Sequence, residues 1–185
     1  DRMIPYDIEP TVRQANGETL LMLGGVRLVG VKARWDCSLG KINSDASALC
    51  VIFTDEAGRL YWHRAVGLTG ELEEFSPDGK TLTGGQIKQM LDILKPLSVP
   101  NVVIETNGVG GFVPAIALKH LKLHGISVTS DHQTTNKQKR ILDAFEPPLS
   151  SEFLWVHTSV LDSPASAQMR EFNPALTNQP DDYID

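Results

Sequence analysis

The spacing of apolar and polar residues along the chain separates an irregular start from a regular remainder. Residues 1–24 contain Pro5, Pro10 and few periodic apolar positions, which indicates an irregular arm or an interdomain linker. From residue 25 onward, three strand-like runs come first: VRLVGVKARW, SALCVIFTD and RLYWHRAVG. A turn-like DEAG segment joins the second run to the third, so these runs predict an antiparallel three-strand meander.

Helical and strand-like segments alternate after the meander. The segment TGGQIKQMLDILKPL places its apolar residues on one helical face, with Thr83 as the N-cap and Pro96 limiting the end. NVVIET predicts a buried strand, FVPAIALKHLKLHG a helix closed by Gly125, ISVTSD a strand and NKQKRILDAFE a helix. EFLWVHTS predicts another strand, and Ser163 before Pro164 predicts the N-cap of a helix. This order predicts an α/β fold around a mixed sheet flanked by helices.

Composition narrows the functions that such a fold can carry. A net charge of -6 and a pI near 5.3 exclude a broadly cationic surface that binds nucleic acid by charge alone. Cys37 and Cys50 make neither a disulfide scaffold nor a zinc-binding spacing. The chain shows no leader sequence, and no apolar run approaches the roughly 20 residues that a membrane span needs. We therefore expect one intracellular globular domain without a membrane partner.

Carboxylates stand at the ends of two predicted strands and at the end of the chain. Asp36 closes the first strand in RWDCSLG, and Glu105 closes the strand NVVIET. If these strands are neighbours, the two side chains face each other where open α/β sheets bind ligands. The segment QPDDYID adds Asp181 and Asp182 in the first turn of a predicted helix, with Asp185 on the same face.

Together these carboxylates are a ligand set for hard divalent cations. Converging carboxylates repel one another unless cations neutralise them. Mg²⁺ and Mn²⁺ accept such oxygen ligands, and two ions about 4 Å apart can promote phosphodiester hydrolysis. The pattern therefore predicts a metal-dependent nuclease.

Five motifs, in order, resemble the C-terminal nuclease domain of phage and prophage terminase large subunits: WDCSLG, SDASALCVIFTDEAGRLYWHR, VIETNGVGGFVP, NKQKRI and PDDYID. The resemblance implies an RNase H-like fold over residues 25–185. It also implies that Asp36, Glu105, Asp181 and Asp182 are catalytic ligands of two divalent metals, Mg²⁺ or Mn²⁺. Such a domain would cut concatemeric double-stranded viral DNA during packaging.

The resemblance implies partners as well. They are double-stranded DNA, an ATPase domain of the same full-length protein, the portal or procapsid, and the small terminase subunit. The implied compartment is the cytoplasm of the bacterial host.

Other polar residues have both a structural and a functional interpretation. Asn107 either supports the site or adopts the left-handed turn that Asn-Gly favours. Asp45 is predicted to cap its own loop backbone. The densest basic group is Lys137, Lys139 and Arg140, which is either a solvated helix face or a contact to DNA phosphates.

Two other functions are compatible with the same patterns. A resolvase or an RNase H would use similar carboxylates on another nucleic acid. A non-catalytic docking module would contact the portal or capsid and leave the carboxylates solvated. We take the metal-dependent DNA endonuclease as the primary interpretation.

Overall fold

The computed structural model describes residues 2–39, 47–107 and 111–185, so Asp45 lies outside the described residues. Its strands are β1 (Ile4–Tyr6), β2 (Thr11–Ala15), β3 (Glu18–Leu23), β4 (Val26–Asp36), β5 (Ser47–Asp55), β6 (Leu60–Leu68), β7 (Glu74–Phe75), β8 (Leu82–Gly84), β9 (Asn101–Glu105), β10 (Ser127–Asp131) and β11 (Leu154–His157). Its helices are α1 (Gly85–Leu94), α2 (Phe112–Leu121), α3 (Lys137–Ser150), α4 (Thr158–Leu161) and α5 (Pro164–Glu171). None of the helices in these described ranges is long and apolar enough to cross a membrane.

Two compact units share the chain. Unit 1 comprises Asp1–Val31, Cys50–Ala65 and Thr135–Asp185, and unit 2 comprises Lys32–Leu49 and Val66–Thr134. Strands β4, β5 and β6 contribute residues to both units.

Unit 1 is built on a mixed sheet with the strand order β1-β11-β6-β5-β4-β3-β2. Strand β11 runs parallel to both β1 and β6, whereas β3 runs antiparallel to both β2 and β4. Strands β4, β5 and β6 are the three strands of the predicted meander, and they lie next to one another in the sheet in the predicted order. Apolar residues from strands and helices form its core: Trp62, Ala65, Ile141, Leu154, Val156, Val160, Ala165 and Ile184.

The prediction of an irregular arm over residues 1–24 is wrong, because this segment contains the three strands β1, β2 and β3. Asn16 and Gly17 have φ angles of 51° and 78°, as a two-residue type I′ hairpin requires, and they join β2 to β3. A second tight turn at Gly24 and Gly25 joins β3 to β4. The strands form because these turns return the chain to a neighbouring strand, although the apolar alternation is weak.

Unit 2 contains residues 32–36 of β4, which pair in parallel with β9, and β10 pairs in parallel with β9. Alternate residues of β4 and β9 are buried in this unit, among them Trp35, Val102 and Ile104. Helix α2 contacts both β10 and α1. The predicted apolar face of α1 is buried: Ile87, Met90, Leu91 and Leu94.

The predicted N-cap of α1 is wrong, because Thr83 lies in β8 and the helix begins at Gly85. The first free amides of the helix donate instead to the backbone oxygens of Glu71 and Leu72, at 2.8 and 3.2 Å. The same two oxygens would lie 2.9 Å from a Cβ on Gly85, whose φ is 85°. Backbone contacts therefore replace the side-chain cap, and they require glycine at this position.

Other predicted helix ends agree with the structure. Gly125 follows α2 and a short 3-10 turn with a φ of 72°, and Ser163 Oγ accepts from the amide of Ala165 at the start of α5. At the end of the chain, PDDYID forms a single turn in place of a longer helix. In that turn the amides of Ile184 and Asp185 donate to the Asp181 oxygen at 3.1 Å.

Candidate functional site

Three carboxylates lie side by side at the carboxyl ends of three neighbouring parallel strands in unit 2. Asp36 of β4 is the register partner of Glu105 of β9, which is the register partner of Asp131 of β10. Paired residues of parallel strands project to the same side of a sheet, so these side chains share one face. The residues just before them, including Trp35 and Ile104, fill the core on the other face. We call Asp36, Glu105 and Asp131 the strand-end row.

Arg34 joins two members of the strand-end row. It precedes Asp36 by two positions and therefore projects from the same face of β4. One guanidinium nitrogen lies 2.7 Å from Glu105 Oε2 and the other 2.9 Å from Asp131 Oδ2. Burial lowers the pKa of Arg34, but the hydrogen bonds to the two carboxylates outweigh it and raise the pKa. The cation therefore holds Glu105, which is only 8% exposed, in a fixed position.

A buried hydrogen-bond network fixes the chain on either side of Asp36. Trp35 Nε1 donates to Ser47 Oγ at 2.9 Å, and Ser47 Oγ donates to Gln86 Oε1 at 2.6 Å. Gln86 Nε2 donates to the backbone oxygens of Ser38 and Gly70, both at 2.9 Å. Strand β4 and the residue two positions after Asp36 are thus tied to the N-terminus of α1.

Cys37 follows Asp36 directly, but it is not a nucleophile. Burial, and then the charge of Asp36, raise the pKa of the Cys37 thiol to about 12. A thiol with this pKa stays protonated near neutral pH, so thiolate chemistry does not arise here.

Asn107 connects the chain after β9 to the chain after β10. Its amide nitrogen donates to the Gln133 oxygen at 2.8 Å, and its amide oxygen accepts from the Gln133 amide at 2.9 Å. The Gln133 side chain also donates to Asp131, and the Thr106 amide donates to the Asp131 oxygen at 2.9 Å. Asn107 therefore holds the two loops that flank Glu105 and Asp131.

The predicted acidic residues at the end of the chain belong to unit 1, where they meet the predicted basic group. Lys137 Nζ lies 2.6 Å from Asp181 Oδ1, 3.5 Å from Asp182 Oδ1 and 3.8 Å from Asp185 Oδ2. Arg140 donates to both carboxylate oxygens of Asp185. We call Lys137, Arg140, Asp181, Asp182 and Asp185 the Asp181 cluster.

Charge pairing rather than solvation dominates the Asp181 cluster. Asp181 is buried. Burial lowers the pKa of Lys137, but the hydrogen bond and charge of Asp181, followed by the other two aspartates, raise it overall. Lys139 is different, because its side chain is 66% exposed and pairs with Asp143 one turn along α3 at 2.5 Å.

The sequence analysis missed Asp131 and Arg34. Asp131 ends ISVTSD just as Glu105 ends its own strand, so the strand-end rule could have found it. Arg34 carries no such signal, because its partners lie 71 and 97 positions away in sequence.

The mixed sheet flanked by helices is the α/β architecture of RNase H-like nuclease domains. Residues 38–154, more than half of the chain, match the family described as Terminase Bacteriophage T7, Ribonuclease H-like domain, and the chain belongs to this family. Both the predicted family resemblance and the predicted RNase H-like fold are thereby confirmed. Glu105 and Asp131 lie within the matched residues, and Asp36 lies two positions before them.

Other comparisons show only distant similarity. One similar solved structure is that of the yeast mitochondrial Holliday junction resolvase, with 10% sequence identity and a TM-score of 0.37. The match covers 81% of this chain and 71% of the resolvase chain. No curated protein matches the chain.

Proposed function

We propose that this nuclease domain is a divalent-metal-dependent DNA endonuclease of a viral DNA-packaging terminase. The observation that carries the proposal is the strand-end row, in which Asp36, Glu105 and Asp131 share one face at consecutive strand ends. Ligands of open α/β sheets bind at the carboxyl ends of the strands, which is where these carboxylates lie.

The donor set of the strand-end row fits a hard cation. All three side chains offer carboxylate oxygens, the ligands that Mg²⁺ and Mn²⁺ prefer. Three carboxylates and the Arg34 guanidinium carry a formal charge of about -2, which one divalent ion would neutralise. Asp36 and Glu105 would hold the ion, with Asp131 as a third ligand. A bound ion would supply activation of water and stabilisation of the charge that develops on the cleaved phosphate.

The residues around the strand-end row would position its carboxylates. Arg34 orients Glu105 through a charge-assisted hydrogen bond, and Asn107 holds the loops that follow β9 and β10. Such supporting contacts typically change metal affinity or activity by about 10–100-fold when they are removed.

A second divalent ion needs further carboxylates. Asp181 and Asp182 stay predicted ligands on the family resemblance alone, with Asp185 as a supporting residue. Lys137 lies within 3.8 Å of a carboxylate oxygen of each of these three residues. Before Asp181 could bind an ion, Lys137 would have to move away from the Asp181 carboxylate. Asp181 and Asp182 therefore need variants of their own.

The family name supports the substrate and the partners. A terminase nuclease would act on concatemeric double-stranded DNA in the cytoplasm of the bacterial host. Its partners would be the ATPase domain of the same full-length protein, the portal or procapsid, and the small terminase subunit. Of Lys137, Lys139 and Arg140, Lys139 is best placed to contact DNA phosphates, because it is exposed and pairs with a single exposed carboxylate.

Plasmid digestion with Mg²⁺ or Mn²⁺ tests the proposed reaction. We expect Asp36→Asn and Glu105→Gln each to lower cleavage more than about 100-fold, because a lost ligand should cost at least as much as a lost supporting contact. Asp92→Asn, which removes an exposed carboxylate on α1, should leave cleavage unchanged. Chelation of divalent ions should abolish cleavage. Metal-dependent cutting that survives both Asp36→Asn and Glu105→Gln would contradict the proposed site.

Further variants and substrates separate the related possibilities. A loss of cleavage in Asp131→Asn would make Asp131 a ligand, and a loss in Asp181→Asn or Asp182→Asn without unfolding would extend the site to those residues. Preferred cleavage of a four-way junction or an RNA–DNA hybrid would indicate a resolvase or an RNase H. A chain that binds portal protein but never cuts DNA would be a docking module.

A further inference from the structure

A second group of potential metal ligands lies in unit 1, apart from the acidic residues above. Tyr6 of β1 pairs with His157 of β11. His157 and His63 follow directly after the pair Val156 and Trp62, and their rings lie 4.6 Å apart. Glu9 follows β1 and reaches both histidines. One ligand atom from each of Glu9, His63 and His157 lies within 4.8 Å of the other two. We call these three residues the His/Glu cluster.

The distances between ligand atoms in the His/Glu cluster are close to those around a single metal ion. His63 Nε2 lies 2.7 Å from Glu9 Oε2, and His157 Nε2 lies 3.4 Å from Glu9 Oε1. Ligand atoms of a tetrahedral zinc ion lie roughly 3.3 Å apart, given bonds of about 2.0 Å. The imidazole rings are 4.6 Å apart at an angle of 62°, so neither ring blocks the other.

One nitrogen of the cluster has no hydrogen-bond partner in the described part of the chain. It is His157 Nε2, a fully buried atom on a residue that is only 7% exposed. Its 3.4 Å contact with Glu9 Oε1 is an ion-pair distance that does not meet hydrogen-bond geometry, and buried polar atoms that lack a hydrogen bond are rare and call for an explanation. This nitrogen is directed at the carboxylate of Glu9, which is where a shared cation would lie.

The other ring nitrogen of each histidine faces a hydroxyl oxygen. His63 Nδ1 lies 2.8 Å from Tyr6 Oη, and His157 Nδ1 lies 2.7 Å from Ser159 Oγ. Histidines that bind metal through Nε2 usually donate from Nδ1 to such an oxygen. The Ser159 amide also donates to His157 Nδ1 at 3.1 Å, and His63 Nε2 donates to Glu9, so in both rings the imidazole proton must move from Nε2 to Nδ1 when an ion binds. Tyr6 Oη and Ser159 Oγ would then accept hydrogen bonds from the two Nδ1–H groups, and the Ser159 amide would give up its bond to His157.

Arg64 binds the Glu9 carboxylate and still leaves lone pairs on it for a metal ion. Its guanidinium donates to Glu9 Oε1 at 2.7 Å, and a carboxylate oxygen retains a further lone pair. Arg64 therefore fixes the orientation of the carboxylate that faces both histidines.

We propose that Glu9, His63 and His157 bind one divalent ion of the zinc class. Two nitrogen donors and one oxygen donor favour Zn²⁺ over Mg²⁺, and three protein ligands leave a fourth position for water or another ligand. The ion would tie the segment after β1 to β6 and β11. This site shares no residue with the strand-end row, so its existence does not depend on the proposed nuclease chemistry.

Titration of chelator-treated protein with Zn²⁺ tests the site. By calorimetry, we expect one equivalent of Zn²⁺ to bind, and His157→Asn to weaken binding by at least 10-fold, the lower end of the loss from removing a supporting contact. His124→Asn is the matched control, because His124 is exposed on unit 2. Asp36→Asn and Glu105→Gln should bind Zn²⁺ like the parent, which separates this site from the proposed nuclease site.

Co²⁺ provides an independent readout, because its visible absorption reports the coordination of the bound ion. We expect an absorption band at one equivalent of Co²⁺ that is lost on addition of Zn²⁺ and absent from His157→Asn. Should His157→Asn fail to fold, Glu9→Gln decides, since the Glu9 side chain is half exposed and its change should preserve the fold. Absence of stoichiometric binding, or equal binding by His124→Asn and the cluster variants, would overturn the proposal.

Discussion

Asp36 and Glu105 are register partners at the carboxyl ends of two adjacent parallel strands, although they lie far apart in sequence. The pairing of β4 with β9 places the two carboxylates on the same face of the sheet. Asp131 extends the row by one strand, and Arg34 lies behind it as the cation that joins two of its members.

The first prediction concerns Arg34 and the stability of unit 2. Arg34→Met leaves the buried Glu105 without its 2.7 Å partner, so we expect a loss of about 1–3 kcal/mol in the free energy of unfolding. The control is Arg27→Met on the same strand, whose exposed pairs are 3.6 and 3.8 Å long. That change should cost less than about 0.5 kcal/mol. Urea unfolding measures both values, and equal losses would contradict a special role for Arg34.

The second prediction separates a DNA contact from a solvated lysine. Lys139→Gln should make the negative slope of log K against log salt shallower by about 0.9 if Lys139 contacts one phosphate. Lys88→Gln is closely matched, because Lys88 forms the same one-turn pair at 2.5 Å with Asp92 on α1. Fluorescence anisotropy with a DNA duplex at several salt concentrations gives both slopes. Identical slopes for the two variants and the parent would assign Lys139 to a solvated face.

The third prediction concerns pH and the buried Asp55. Its carboxylate accepts hydrogen bonds from the amides of Ala57 and Arg59, the Arg59 side chain and the Tyr61 hydroxyl. Burial raises the pKa of Asp55, but these hydrogen bonds outweigh it and lower the pKa below its ordinary value of 3.8. The unfolded chain therefore takes up this proton first as the pH falls, so the stability that Asp55 contributes is present above pH 3.8 and is lost below it.

Unfolding of Asp55→Asn at neutral and acidic pH checks this sign. We expect the variant to lose about 1–3 kcal/mol at neutral pH and to show a shallower loss of stability in acid than the parent. Asp92→Asn, at an exposed position, should match the parent throughout. A variant that loses stability equally at every pH would disprove the linkage to ionisation.

The fourth prediction tests the hairpin between β2 and β3. Gly17 has a φ of 78° and open space where a Cβ would lie, so Gly17→Ala should cost about 1 kcal/mol from backbone strain alone. Gly25→Ala also meets open space but has no positive φ, and we expect almost no change. Thermal or urea unfolding distinguishes the two. Equal effects would mean that the left-handed conformation at Gly17 does not limit stability.

Features that depend on local periodicity could be predicted from the sequence. The apolar face of α1 and the alternation of helices with strands follow from spacings of three to four residues and from short apolar runs. The strand-end positions of Asp36 and Glu105 follow from where those runs stop. The Asn16–Gly17 hairpin could also have been predicted, because Asn-Gly is a strong turn signal, but the weak alternation of apolar and polar residues on either side of it concealed the strands.

Features that depend on distant pairing could not be predicted in this way. Arg34 looks like any polar strand residue until β4 pairs with β9 and brings Glu105 within reach. Lys137 likewise lies 45 positions from Asp182, and only the folded chain brings the two together. The predicted N-cap of α1 is wrong for the same reason. The backbone oxygens that accept from the first helix amides, in place of Thr83, belong to a preceding loop.

The Arg34 bridge also bears on how an ion would enter the strand-end row. Glu105 and Asp131 already share the positive charge of Arg34, so an arriving divalent ion would meet less negative charge than three unpaired carboxylates would offer. The affinity for the ion would be weaker to the same degree. A nuclease built in this way would respond to the concentration of free metal instead of holding its ion permanently.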